Sequence, residues 1–419
     1  MRPLHYIIVV LALILCTTAY AQTVYQTGIT KENVASLRIK YADSDLLERP
    51  ILTLGEDQPL EISFDELSHN THQYTYTVRH LNADWRESGL NSSEYLKGFT
   101  TQDITDYDYS LNTQQLYTHY RFIFPNEDMQ LTMSGNYVIQ IYEDGDTEKT
   151  IGYVCFSVAE QEAGINATVR SNTDIELAGR YQQLDIDVNT SHLRLTNPTQ
   201  EIQVVVTQNN RTDNSVRLTQ PTFIENNRLR YINNKQLIFE GGNEYHHFDI
   251  NSAYILGNGV NHIEFDRNYY HAFLFDDVWD PTLPYTTESD ADGQYVINAE
   301  RTEDDDYEAD YMWVHFFVPR DNPYFDGSVY VIGDVSFNQL SAANRLQYDN
   351  EHKAYCLSLY LKQGAYDYQY LFVPKGKKQG TLQRTEGSYW QTGNEYTIYV
   401  YYRPFGSRGD RLVGVKRIN

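Results

Sequence analysis

Apolar and polar residues alternate in many short runs along this chain, and turn residues separate the runs. Residues 74–81 (YTYTVRHL) alternate strictly, and residues 137–142 and 152–158 flank the turn sequence EDGD at Gly145. Alternation with a period of two is typical of strands that bury one face, and no long segment has the helical period. Strands and turns at this density predict an all-β protein built from β-sandwiches.

Two breaks in this pattern predict three consecutive immunoglobulin-like β-sandwich domains. Residues 159–164 (AEQEAG) form a polar link, and residues 276–292 are rich in Asp, Pro and Thr. The tail after Gly406 is locally basic and forms either an extra edge strand or a disordered end. The predicted limits are a leader at 1–21, an N-terminal sandwich at 22–160, a middle sandwich at 161–284 and a C-terminal sandwich at 285–419.

The first 21 residues have the pattern of a signal peptide. Arg2 precedes an apolar run at 6–16, and Ala19-Tyr20-Ala21 is a small-x-small cleavage site. The apolar run is shorter than the ~20 residues that a membrane-spanning helix needs. We expect cleavage after Ala21 and export of a soluble protein that does not insert into the membrane.

The chain has a formal net charge of −24. Because nucleic acid attracts basic surfaces, this charge argues against a nucleic-acid partner, and it also argues against unaided docking on anionic lipid. An acidic surface favours a basic or polar protein partner, or it simply keeps an exported protein soluble. Both interpretations remain open at this point.

Aromatic residues and cysteines give two further expectations. The chain has 37 Tyr against 17 Phe and 4 Trp, and tyrosine suits a half-buried strand whose hydroxyl faces water. Cys16 leaves with the leader. Cys155 and Cys356 lie in separate apolar runs, which predicts two buried free thiols in different domains.

No motif for catalysis or cofactor binding stands out in the sequence. There is no Gly-x-Ser-x-Gly elbow and no phosphate-binding glycine loop. An apolar setting raises the pKa of a thiol and makes it unreactive, which argues against either cysteine as a nucleophile. We therefore predict a protein that is not an enzyme, with no catalytic residues and no cofactor.

Three segments were considered as metal sites, and none is predicted to be one. His246 and His247 are consecutive on a strand, so their side chains point to opposite faces. Residues 288–293 (ESDADG) begin like a calcium loop, but Ala299 stands where the loop needs a bidentate Glu. The acidic segment 300–310 is either a weak divalent-ion site or a solvated loop.

Several short motifs follow one another in the first 160 residues. They are Pro50-Ile51, 60–67 (LEISFDEL), 74–85 (YTYTVRHLNADW), 94–99 (EYLKGF), 117–120 (YTHY) and 134–137 (SGNY). In this order they resemble the N-terminal domain of type IX secretion system plug proteins, a periplasmic family of the Bacteroidetes. The resemblance continues at 207–211 (TQNNR), 241–249 (GGNEYHHFD), 292–297 (DGQYVI) and 362–370 (KQGAYDYQY).

The resemblance implies a non-enzymatic periplasmic plug at the inner side of the outer membrane. Proteins of this family bind the outer-membrane translocon barrel of the type IX secretion system and close its periplasmic opening while no substrate passes. The implied partner is that barrel, and the plug is a monomer when free.

Five residues of the first-domain motifs are candidates for partner contact: Arg79, His80, Asp84, Trp85 and Tyr95. Arg79, His80 and Asp84 look too polar for a core. They belong either to a buried polar network that holds the loops of the domain or to a contact patch on the translocon.

The last domain also resembles immunoglobulin-like carbohydrate-binding modules, which implies an alternative function as a glycan-binding accessory protein. The resemblance rests on 329–333 (VYVIG), Phe337-Asn338 and 363–370. Leu340 stands where an aromatic residue is expected. Tyr389 and Trp390 are the candidate residues for stacking on sugar in its place.

Overall fold

The computed structural model describes residues 23–42, 44, 48–287 and 289–419, and these residues form an almost entirely β protein. The predicted fold class is therefore confirmed. The predicted leader and its cleavage site at Ala21 lie outside the described residues. No helix in the described part of the chain has the length and apolar character needed to cross a bilayer.

The strands fall in the following order along the chain. The first group is β1 Gly28–Ile29, β2 Val34–Tyr41, β3 Ile51–Thr53, β4 Leu60–Glu66, β5 Tyr74–Leu81, β6 Leu96–Gly98, β7 Thr101–Ile104, β8 Asp106–Tyr109, β9 Thr118–Phe124, β10 Met129–Leu131, β11 Gly135–Glu143 and β12 Thr150–Ala159. The second group is β13 Gly164–Arg170, β14 Tyr181–Asn189, β15 Ile202–Gln208, β16 Val216–Leu218, β17 Phe223–Glu225, β18 Arg228–Tyr231 and β19 Ile238–Glu240.

The third group is β20 His246–Asp249, β21 Val260–Phe265, β22 Tyr270–Leu274, β23 Tyr295–Ile297, β24 Tyr311–Pro319, β25 Gly327–Ile332, β26 Gln347–Asp349, β27 Ala354–Lys362 and β28 Gly364–Pro374, and the chain ends with β29 Tyr396–Tyr402 and β30 Arg411–Ile418. Three one-turn helices are α1 Ser92–Tyr95, α2 Pro198–Glu201 and α3 Asp305–Glu308. Short 3-10 turns lie at Thr147–Lys149, Lys235–Leu237 and Asp334–Ser336.

The first sandwich contains β1 to β12. One sheet has the order β1-β12-β11-β5-β7, with β3 also paired to β12, and the facing sheet has the order β2-β4-β9-β8. The alternating side chains of β5, among them Tyr74, Tyr76 and Val78, enter the core between the sheets. The predicted hairpin between β11 and β12 is confirmed, and Gly145 takes a positive φ of 69° in its turn, where glycine carries no steric penalty.

The second sandwich contains β13 to β19 together with the last two strands of the chain. One sheet has the order β13-β14-β18-β17, with β19 paired to β14, and the other has the order β16-β15-β29-β30. Tyr396, Ile398 and Val400 of β29 are fully buried in the core of this sandwich. Strands from both ends of residues 161–419 are therefore needed to complete one core.

The third sandwich contains β20 to β28. One sheet has the order β20-β28-β23, with β25 also paired to β28, and the other has the order β21-β22-β24-β27-β26. Phe248 of β20, Val260 of β21 and Ala272 of β22 are buried in its core.

The strand pairing crosses the predicted limit between residues 284 and 285. Strands β20 to β22 precede that limit but pair within the third sandwich, and strands β29 and β30 follow it but pair within the second. The reason is core completion, because the second sandwich closes with β29 and β30, which lie far from its other strands in sequence. The number of independently folding domains stays a prediction. The tail is an ordered edge strand, Arg411–Ile418, paired with β29.

Many tyrosine side chains are buried more completely in this fold than the half-buried position that the sequence predicts for them. Nine of the twelve largest fully buried side chains are Tyr. Most of their hydroxyls have hydrogen-bond partners, as when Tyr74 donates to Glu66 at 3.0 Å and Tyr117 donates to the Ala309 carbonyl at 2.8 Å, whereas the Tyr231 hydroxyl has none. Both cysteines are free, as predicted, but each is only partly buried. Burial raises the thiol pKa of both.

A buried ion pair joins the first sandwich to the third. Lys362 Nζ at the end of β27 donates to Asp65 Oδ2 of β4 at 2.6 Å, and neither side chain is more than 1% exposed. Asp65 also receives hydrogen bonds from Tyr311 and His119, each at 2.6 Å. Burial alone opposes ionisation of Asp65, but Lys362 and His119 outweigh it and lower the carboxyl pKa to about 2.

The segment 300–310, for which a solvated loop was one interpretation, closes over this ion pair. Asp306 in α3 pairs with Arg38 of β2, and its carbonyl accepts a second hydrogen bond from Lys362 Nζ at 2.6 Å. Asp310 accepts from the backbone N–H groups of Gln114 and Gln115 at 2.7 and 3.0 Å. Two carboxylates of the segment therefore bind the first sandwich directly.

Replacing Lys362 with Met should lower the free energy of unfolding by about 3 kcal/mol or more, because the Asp65 carboxylate is left buried without its cation. Urea unfolding followed by tryptophan fluorescence measures the change. Lys149→Met is the matched control, since Lys149 makes a 2.7 Å pair with Asp144 that is half exposed to water. An unfolding midpoint for Lys362→Met equal to that of the control would contradict the assigned role.

Candidate functional site

Arg79 faces outward from β5 and holds a polar cluster. Its guanidinium donates to Glu87 at 2.6 Å and to the Tyr25 hydroxyl at 2.8 Å, and it also contacts Gln140. Tyr25 in turn donates to Glu87 at 2.7 Å. Arg79 is about one-third exposed, and this cluster lies on the outer face of the sheet, on strands β5 and β11.

His80 points the other way, into the sandwich. Its Nε2 lies 3.2 Å from the Ser134 carbonyl, and its ring packs at 5.1 Å from Tyr137 and 5.8 Å from Tyr95. His80 is 2% exposed. Burial lowers its pKa to about 4, so the imidazole is neutral at pH 7. His80 and Tyr95 are therefore brought together inside the fold.

Asp84 and Trp85 form the turn that follows β5. Asp84 pairs with Arg86 at 2.8 Å. Trp85 takes a left-handed φ of 60°, its N–H donates to Asn82, and its carbonyl accepts from the N–H of Tyr25 at 2.9 Å. The five predicted residues thus divide between an outer cluster, a buried aromatic group and a turn, and they do not form one continuous patch.

The same motif region docks onto the hairpin between β29 and β30, which the sequence reasoning missed. The Ala83 N–H donates to Asp410 Oδ2 at 2.8 Å, and the Tyr401 hydroxyl donates to Asn136 Oδ1 at 2.9 Å. Ala83, Ala159, Tyr401 and Leu412 form a small apolar cluster between the two sandwiches. The two residues of each hydrogen bond lie more than 250 residues apart in sequence, so no local sequence pattern predicts these contacts.

Arg49 connects all three sandwiches. It donates to Asp334 Oδ2 at 3.1 Å and to the Asp292 carbonyl at 2.7 Å in the third sandwich, and to Glu395 Oε1 at 3.4 Å beside β29. Beside it lies a cavity of about 1040 Å³ lined by residues of all three sandwiches. Arg49 therefore fixes the angle between the sandwiches around a central space.

The alternative stacking residues lie where the second and third sandwiches meet. The Trp390 N–H donates to the Gly179 carbonyl at 3.0 Å, its own carbonyl accepts from Gln182, and its ring is 37% exposed. The Tyr389 hydroxyl donates to the Leu283 carbonyl, and its ring packs on Tyr285.

The segments considered for metal binding have protein partners. His246 Nε2 lies 2.8 Å from Glu386, and His247 Nδ1 lies 2.8 Å from Asp367. Asp290 accepts a hydrogen bond from the N–H of Tyr245, while Glu288 lies outside the described residues. Within 23–42, 44, 48–287 and 289–419, no three His, Cys, Asp or Glu side chains converge as metal ligands.

Buried His80 should make the protein less stable in mild acid. Its pKa is about 4 when folded against an ordinary 6.5, so the unfolded chain takes up the proton first. Stability from this group is lost as pH falls from about 6.5 to about 4, by about 3 kcal/mol in total. His80→Gln keeps a hydrogen-bond donor for the Ser134 carbonyl. In urea unfolding, this variant should show a flatter dependence of the free energy of unfolding on pH between about 6.5 and about 4.

The matched control is His352→Gln. His352 is exposed beside Asp349, which raises its pKa, so its contribution to the pH dependence has the opposite sign. This control should not flatten the curve. An equal loss of stability in wild type and His80→Gln between pH 6.5 and 4 would refute the assignment.

Comparison with known proteins gives the family. The model for the first domain of type 9 secretion system plug proteins matches residues 34–160, which form most of the first sandwich. No curated protein matches the chain at a significant level. A crystal structure of a hypothetical protein from Parabacteroides merdae is 40% identical, covers 95% of this chain and 100% of its own, and superposes with a TM-score of 0.92. The chain belongs to the plug protein family of the type IX secretion system.

Proposed function

We propose that this protein is a non-enzymatic periplasmic plug that binds the outer-membrane translocon barrel of the type IX secretion system and closes its periplasmic opening. The observation that carries the proposal is the family match over residues 34–160. Plug proteins are components of a secretion system and are not known as an enzyme family. The expected signal peptide agrees with a periplasmic location.

The connections between the sandwiches support this role physically. A plug must keep its shape against a wide pore, since a loose chain of domains leaves gaps for small solutes. Lys362 with Asp65, Arg49 with Asp334 and Glu395, and the Tyr401 contact with Asn136 link the first sandwich to each of the other two. Ion pairs with buried partners hold one relative orientation, because any other leaves a charge without its partner.

The proposal predicts that the protein is recovered with the translocon barrel. A tagged copy, expressed from its own gene, should capture the barrel from outer membranes solubilised in mild detergent, and mass spectrometry identifies what is captured. A tagged periplasmic protein of similar size and charge is the control. Capture of the barrel equally by that control would argue against specific binding.

Deletion of the gene should make the outer membrane permeable to large antibiotics that it normally excludes, because the opening is no longer closed. Uptake is measured in the deletion strain, in the same strain with the gene restored, and in a strain that also lacks the barrel. Leakage should appear only in the first strain. Unchanged permeability in the deletion strain would contradict the proposal that the protein closes the opening.

A further inference from the structure

The outer face of one sheet in the third sandwich is strongly aromatic. This sheet has the order β21-β22-β24-β27-β26, and its inner face packs on the core. The strand register brings together on the outer face His262, Glu264, His271, Phe273, Trp313, His315, Phe317, Gln347, Cys356, Ser358 and Tyr360. Only one of these eleven residues, Glu264, is an Asp, Glu, Lys or Arg, whereas these four types make up 21% of the chain.

The rings on this aromatic face pack against one another. Phe273 stacks on His262 at 4.5 Å and on His315 at 4.4 Å, and Trp313 packs on Tyr360 at 4.9 Å. His271 and His315 are parallel, with Nδ1 of the first 2.9 Å from Nε2 of the second. The face therefore carries two preformed groups of packed rings, side by side on neighbouring strands.

Exposed apolar residues also lie at one end of this sheet, beside Tyr270, whose side chain is on the opposite side of β22 from the aromatic face. Phe265 and Tyr254 pack on Tyr270 of β22, and Tyr254 is 86% exposed. Its neighbours Ile255 and Leu256 are each more than half exposed. Large side chains exposed together in this way usually mark a surface that another molecule covers.

The aromatic face continues onto the first sandwich. Tyr269 packs on Tyr360, whose hydroxyl donates to Gln115 at 2.9 Å. Leu116, next to Gln115, is 48% exposed, and Leu111, whose N–H donates to the Tyr307 carbonyl at 2.9 Å, is 50% exposed.

An acidic rim borders this end of the surface. It consists of Asp106, Asp108, Glu303, Asp304 and Glu308, with Tyr107, Tyr109 and Tyr307 between them. Arg121 is the cation within the rim, and it pairs with Asp106 at 2.9 Å and Asp108 at 3.0 Å. Five carboxylates against one guanidinium leave an excess of negative charge. Asp106 and Asp108 lie on β8, a strand at the edge of its sheet.

We propose that the aromatic face and the acidic rim together form the docking surface for the translocon, and that they meet an apolar patch bordered by Lys and Arg. This inference rests on the proposed plug function and deepens it. Aromatic residues dominate the centres of protein interfaces, whereas charges lie at their rims. The negative charge of the rim favours a basic partner. It disfavours a second copy of this chain, whose net charge is −24.

Two substitutions test the aromatic part. Trp313→Ala and Phe273→Ala each remove a ring that belongs to the packed ring contacts of the aromatic face. Each should weaken binding of the detergent-purified barrel by about tenfold or more. Phe223→Ser with Ile224→Ser is the matched control, because these residues are half exposed on β17 of the second sandwich. The control should bind as wild type does.

Asp106→Asn with Asp108→Asn tests the rim. This variant should bind more weakly at low salt and lose part of the salt dependence of the association rate, since rim charges act chiefly on encounter. Asp144→Asn, which removes an exposed carboxylate paired with Lys149, is its control. Thermal unfolding of every variant checks that the fold is intact.

The outcomes separate this inference from the plug proposal. Wild type that fails to bind the purified barrel refutes both. Binding by wild type and by all folded face and rim variants with equal affinity overturns the docking surface alone. Sedimentation that shows a wild-type dimer, converted to a monomer by Trp313→Ala, assigns the surface to a second copy and also overturns it.

Discussion

The buried pair of Lys362 and Asp65 fixes how the first sandwich meets the third. An ammonium and a carboxylate lose their hydration when they are buried, and only a close partner with further hydrogen bonds offsets that cost. His119 and Tyr311 supply those bonds to Asp65. Because any sliding of one sandwich on the other breaks this set, the pair contributes more to a single orientation than to net stability.

The path of the chain reinforces the same constraint. The chain leaves the second sandwich after β19, builds the whole third sandwich, and returns to place β29 beside β15 and β30 at the edge. The third sandwich is therefore an insertion within the second, tied at both ends. Arg49, from the first sandwich, reaches Asp334 of the third and Glu395 beside β29, so it ties the inserted sandwich to the segment where the chain returns to the second.

Strand positions were predictable from sequence because alternation is local, and 74–81 and the 145 hairpin lie where expected. Partner choice was not predictable, since β15 and β29 pair across nearly 200 residues with apolar patterns like those of other strands. The role of individual charges was not predictable for a related reason. In the sequence, Asp306 is one residue of an acidic run of the kind that is usually solvated. Only the structure shows that it pairs with Arg38, which is far away in sequence. The contacts of the motif residues Ala83 and Asn136 were likewise not predictable, because their partners Asp410 and Tyr401 lie far away in sequence.

The ion pair also bears on the proposed docking surface, because the two parts of that surface belong to different sandwiches. The aromatic face lies on β22, β24 and β27 of the third sandwich, whereas the acidic rim combines β8 of the first with α3. Lys362 ends β27, and Asp306 lies within α3, so one buried cluster stands directly beneath the place where the two parts meet. Binding of a rigid partner that contacts both parts at once therefore depends on the orientation that this buried cluster maintains, although the partner does not contact the cluster itself.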